Sequence, residues 1–144
     1  MNATEPLWKT QYVPQYPPLS TSRTVDVAIV GAGITGLTAA LLLRRAGKEV
    51  AVVEARHVAS GVSGSNSAHL TEVIDSRIAV IESKFGTTNA RLAVQSSRDA
   101  IRQIEAWVSS LQIDCGFRRV AGYLFTERED QRTELEEELD ACKR

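Results

Sequence analysis

Val25-Asp-Val-Ala-Ile-Val-Gly31-Ala-Gly33-Ile-Thr-Gly36, a leucine-rich run, and Lys48-Glu-Val-Ala-Val-Val-Glu54 decide the fold of this chain. The order is strand, glycine turn, helix, strand, acid, and each piece has its own physical task in holding a dinucleotide. Val25 to Val30 form a short apolar run suited to a buried parallel strand. Gly31 permits a tight turn out of that strand, Gly33 leaves the backbone open to a pyrophosphate, and Gly36 lets the following helix approach the sheet closely. Unpaired N–H groups and a positive dipole end then face the phosphates. Glu54 stands 18 residues after Gly36, at the end of the second strand, where a carboxylate can accept ribose hydroxyls.

Working outward, the first helix is predicted over about Ile34 to Ala46, closed by a left-handed cap at Gly47, and the second strand over Glu49 to Val53. Residues 55–69 form a polar loop dense in Gly and Ser, whose small side chains leave backbone N–H groups free for phosphate or flavin contact. Ile74, Ile78, Ile81 and Phe85 then fall at helical spacing, with Gly86 as the cap of a first helix. Ala90, Ala93, Ser97, Ile101, Ile104, Val108 and Leu111 continue the pattern through a second, longer one. Both stripes are read as core-facing. Ile113 to Phe117 and Gly122 to Thr126 read as short strands. Thr126 and Glu129 form a capping-box start for a last helix, with Leu135, Leu139 and Cys142 as its apolar stripe and Glu134 to Glu138 as its solvated face.

The 144 residues suffice for one domain with its own core, and 43% apolar and 24% charged residues are ordinary for a globular protein. A formal net charge of −1 gives no basic footprint for nucleic acid or anionic membrane. No apolar stretch reaches the roughly 20 residues of a membrane span. Residues 1–24 hold all four prolines with Trp8, Tyr12 and Tyr16, and read as an extended arm laid over the domain, not as a signal peptide. Cys115 and Cys142 make neither a disulfide framework nor a metal site, which suits a reducing cytoplasm. Cys115 is read as a buried strand thiol. The chain stops inside the predicted last helix without a capping signal, as a truncated protein would.

The glycine turn alone leaves NAD and FAD open. The Gly/Ser loop and long helices after Glu54, in place of a third aliphatic strand, argue against a nicotinamide dehydrogenase. Val25 to Glu54, followed by Ser63-Gly64-Ser65-Asn66-Ser67-Ala68-His69-Leu70-Thr71 and by Ile113-Asp-Cys-Gly-Phe117…Gly122-Tyr-Leu-Phe125, resembles the opening of the D-amino-acid-oxidase-like superfamily of FAD-dependent oxidoreductases. The similarity is closest to the bacterial members that carry a C-terminal Rieske domain. It covers nearly all of residues 25–126. Serines at 63, 65 and 67 replace a frequent threonine or basic residue, and Gly116 replaces a common aspartate.

The resemblance implies an α/β fold: a Rossmann-like FAD-binding domain with a helical insertion, truncated before the substrate domain is complete. On this reading residues 1–24 are the arm, 25–112 the FAD-binding domain and 113–144 the start of the substrate domain. The implied reaction takes hydride from a small amine or amino-acid-like substrate to flavin. Gly31, Ala32, Gly33, Ile34, Thr35 and Gly36 would surround the pyrophosphate, and Glu54 would hold the adenosine ribose with Ala55 and Arg56 alongside. Ser63, Gly64, Ser65, Ser67 and Ala68 would run towards the flavin ring. His69 would bond to the flavin, pack beside it or attach it covalently, and His57 would lie at the surface near the adenosine. A Rieske [2Fe-2S] cluster would belong only to a missing C-terminal part, since it takes two Cys and two His in paired motifs. No residue constellation identifies a catalytic base or nucleophile, a metal site or the electron acceptor. Two alternatives remain open: a nicotinamide-dependent enzyme fragment, and a catalytically inert nucleotide-binding remnant.

Overall fold

The computed structural model describes residues 13–144, which form two compact units, one ending at His69 and one running from Leu70 to Arg144. In the first, strand β1 (Val27–Val30), helix α1 (Ile34–Arg45) and strand β2 (Val50–Val53) make a β–α–β unit. The strands pair in parallel, Val27 opposite Val50 through Val30 opposite Val53. Runs of Val and Ile favour this extended pairing because their branched side chains suit a pleated surface. The ladder is prolonged at both ends: the Glu49 N–H donates to Asp26 Oδ2 at 2.9 Å, and the Gly31 N–H to the Val53 carbonyl at 2.8 Å.

Helix α1 ends as its sequence predicts. The Lys48 N–H donates to the Leu43 carbonyl and the Gly47 N–H to that of Arg44, both at 3.0 Å, which is the double closure of a Schellman cap. Arg44 and Arg45 lie in the last turn, where positive charge complements the helix dipole. Residues 13–24 contain no helix or strand, and Tyr16 and Leu19 are exposed. Residues 1–12 of the predicted arm, Trp8 and Tyr12 among them, lie outside the described residues.

The second unit pairs helix α2 (Ile78–Ser110) with helix α3 (Arg132–Lys143). The two helices predicted on either side of Gly86 are one run bent at that glycine, whose φ of 82° and ψ of 160° are non-helical. Side chains bridge the break: Thr87 Oγ1 donates to Glu82 Oε1 and Asn89 Nδ2 to the Phe85 carbonyl, both at 2.7 Å. Ala90 is buried and most of the longer stripe is half-buried, whereas Phe85 and Leu111 are exposed.

Four expectations are corrected here. Residues 113–117 and 122–126 are not strands; a strand needs a partner ladder for its backbone groups, and among the described residues none pairs with them. Val120, Tyr123 and Phe125 consequently stand exposed. Cys115 is therefore an exposed thiol, not one buried in a strand. The Thr126–Glu129 capping box does not form. The Thr126 hydroxyl instead donates to Gln131 Oε1 at 2.7 Å and accepts the Arg128 N–H at 3.1 Å, and a 3-10 turn, Glu129–Gln131, leads into α3. Finally, Glu138 is not on a solvated face: it is buried, with Ala141 also inside, while Leu139 and Cys142 face out. Its carboxylate accepts the Ile78 and Ala79 N–H groups, each at 2.9 Å, capping α2, whose N-cap residue Arg77 makes no side-chain cap.

The buried apolar residues among the described ones are all alanines: Ala32, Ala90 and Ala141. Val30 is 87% exposed although it is the last residue of β1. A two-stranded sheet with one helix can cover little apolar surface.

Candidate functional site

The site is the turn between β1 and α1. Gly31 has φ +103°, a backbone open to glycine and costly to side chains. At Gly36 a Cβ would lie 2.0 Å from the Gly31 carbonyl oxygen and 3.3 Å from Ile29 Cγ2, so the first turn of α1 closes directly onto the strand that precedes it. That is the close helix–sheet approach the third glycine predicts. Gly33 has a different neighbour from the one expected: a Cβ there would stand 3.1 Å from Ser63 Oγ. The space left by the second glycine is filled by the protein's own loop.

The backbone donors of the turn divide into two sets. The Gly31 N–H continues the ladder to Val53, that of Ala32 donates to Glu54 Oε2 at 2.9 Å, and that of Ile34 to Ser63 Oγ at 2.9 Å. Among the described residues no acceptor meets the N–H groups of Gly33, Thr35 and Gly36. The first turn of α1 carries no acidic side chain. Three such donors at the N-terminus of a helix whose own first turn is not acidic are able to bind the oxygens of a diphosphate.

Glu54 accepts a second bond, from the Arg56 N–H to Oε1 at 3.1 Å. The Ala32 N–H, then that of Arg56, hold its carboxyl below the usual glutamate range, so it is ionised at neutral pH. With about four lone-pair positions, an ionised carboxylate keeps acceptor capacity for hydroxyl groups beyond these two bonds.

The loop after Glu54 is fastened to the turn at two points, Ser63 on Ile34 and the Ala59 N–H on the Ala32 carbonyl at 3.0 Å. Ser63 is the middle residue of a 3-10 turn, Val62–Gly64, which packs tightly: a Cβ on Gly64 would lie 2.3 Å from the Ala59 carbonyl oxygen. Asn66 stitches the loop together. Its Nδ2 donates to the Ser63 carbonyl at 2.8 Å and its Oδ1 accepts the Ala68 N–H at 2.8 Å. Neither Ala59 nor Asn66 stands out in the sequence reading; an Asn within a Gly/Ser stretch is the one available signal, because its side chain bonds readily to nearby backbone.

The structure thus brings Gly31 to Gly36, Glu54, the Arg56 amide and Ser63 together. Ala55 is exposed beside them. Ser65 Oγ bonds back to the Gly61 carbonyl at 3.4 Å, and Ser65, Ser67, Ala68 and His69 are exposed with no hydrogen bond to the glycine turn. His57 is exposed, with Nδ1 3.2 Å from the Val58 carbonyl. Among the described residues no group of three or more His, Cys, Asp or Glu is placed to hold a metal, and no helix is long and apolar enough to cross a membrane.

Comparison with known proteins agrees with this geometry. The family described as "FAD dependent oxidoreductase" (DAO) matches residues 26–144. The chain is 34% identical over 140 residues to the putative Rieske 2Fe-2S iron-sulfur protein YhfW of Bacillus subtilis, covering 96% of this chain and 28% of that protein. It is 36% identical over 135 residues to gamma-glutamylputrescine oxidoreductase of Escherichia coli, covering 93% of this chain and 31% of the relative. With the probable oxidoreductase OrdL of Haemophilus influenzae it shares 31% identity over 128 residues, covering 86% and 29%. The chain spans under a third of the length of each of these curated relatives. No solved structure matches it.

Proposed function

The chain belongs to the DAO family of FAD-dependent oxidoreductases, and from that premise we propose that it forms the ADP-binding part of a flavin site in an enzyme that oxidises a small amine or amino-acid-like substrate. The observation that carries the reading is the set of three N–H donors without an acceptor among the described residues, Gly33, Thr35 and Gly36, at the head of α1 near an ionised Glu54. The name of gamma-glutamylputrescine oxidoreductase supports an amine as the substrate class.

In this reading bound FAD supplies the hydride acceptor, the flavin ring. The residues of this chain bind and orient. The Gly33, Thr35 and Gly36 amides hold the diphosphate oxygens, assisted by the dipole of α1. Glu54 accepts the adenosine ribose hydroxyls with the lone pairs that Ala32 and Arg56 leave free. Arg56 and Ala55 flank that end, while Ser63, Gly64, Ser65, Ser67, Ala68 and His69 supply the wall towards the flavin. Residues 25–112 are then the FAD-binding portion and 113–144 belong to a substrate domain, where Tyr123 and Phe125 are exposed.

The test is a visible absorption spectrum of the purified chain before and after adding FAD and desalting, with ADP as competitor. Flavin absorbance that survives desalting and is displaced by excess ADP supports the site. A folded chain that retains neither FAD nor ADP would falsify it. Acid precipitation of a yellow sample then reads His69: flavin in the pellet means a covalent bond, flavin in the supernatant means none.

A further inference from the structure

We draw no further inference here: the strongest candidate, the cleft of about 580 Å³ between α2 and α3 lined by Thr88, Arg91, Arg98, Lys143 and Arg144, carries nothing, because its cations already have acceptors within the chain (the Arg144 carbonyl for Arg91, Glu72 for Arg98, Asp140 for Lys143 and Glu82 for Arg144), and beyond them it rests on the helix start after Gly86, where nothing else in the structure points to a ligand.

Discussion

The buried N–H of Ala32, inside the glycine turn, donates to the carboxylate of Glu54 at 2.9 Å across 22 residues of sequence. The acid at the end of β2 therefore shapes the turn. Together with the Gly31–Val53 bond it ties the glycine turn to the end of β2.

Glu54→Ala is expected to lower the midpoint of urea unfolding, because the Ala32 N–H, in a residue 2% exposed, loses its acceptor. The pH dependence has a fixed sign. Backbone donors hold the Glu54 carboxyl below its ordinary value of 4.5, so its contribution is fully present above that pH and is lost as pH falls through the lower folded value. Glu54→Gln should therefore differ most from wild type near neutrality and converge with it in acid. Urea midpoints that differ equally at pH 7 and in strong acid would show that Glu54's charge has no part in the turn.

The second and third glycines are expected to differ in how they tolerate alanine. A Cβ at Gly36 would meet backbone oxygen at 2.0 Å, whereas at Gly33 it would meet the movable Ser63 hydroxyl at 3.1 Å. Gly36→Ala should destabilise the chain by about 1–3 kcal/mol or more, as overpacking against fixed atoms does, and Gly33→Ala by clearly less. Denaturation of the two variants measures this directly; equal losses would mean that the loop cannot yield at Ser63.

The β–α–β unit was legible because each of its elements is specified locally: a branched apolar run, a glycine turn, a leucine-rich helix, and Gly47 where a left-handed residue is required. Gly86 was legible as a break for the same reason, and the stripe from Ala90 to Leu111 as a helix beyond it, but not that the two form one run bent at the glycine. What stayed hidden depends on partners distant in sequence. The stretches 113–117 and 122–126 have strand composition but no ladder to join. Glu138 lies in an acidic run that looks solvated, and only the fold brings the amide end of α2 against it. Ser63 stands in a loop the sequence singles out, but its bond to Ile34 spans 29 positions, and no spacing rule announces such a contact.

Glu138 offers a test of the second unit. Its carboxylate is 6% exposed and accepts two helix-end amides, from Ile78 and Ala79. Glu138→Ala strands both donors and is expected to cost about 2 kcal/mol or more. Glu138→Gln, whose side chain offers one acceptor oxygen in place of two, should cost less. Amide exchange at Ile78 and Ala79 reads the local effect: protection that persists in Glu138→Ala would show that the cap is not what holds the start of α2.

Gly86 carries the bend of α2 at φ 82° and ψ 160°, a backbone region essentially confined to glycine, where another residue costs of order 1–3 kcal/mol. Thr87 on Glu82 and Asn89 on the Phe85 carbonyl span the break, so the bend is held from both sides and cannot simply straighten to relieve a side chain. Gly86→Ala should accordingly destabilise the second unit by about that amount, while Lys84→Ala, two residues earlier and exposed, should stay within about 0.5 kcal/mol of wild type. A Gly86→Ala variant that is as stable as wild type, or more so, would mean that α2 runs straight through residue 86 in solution, with alanine's higher helix propensity then adding stability.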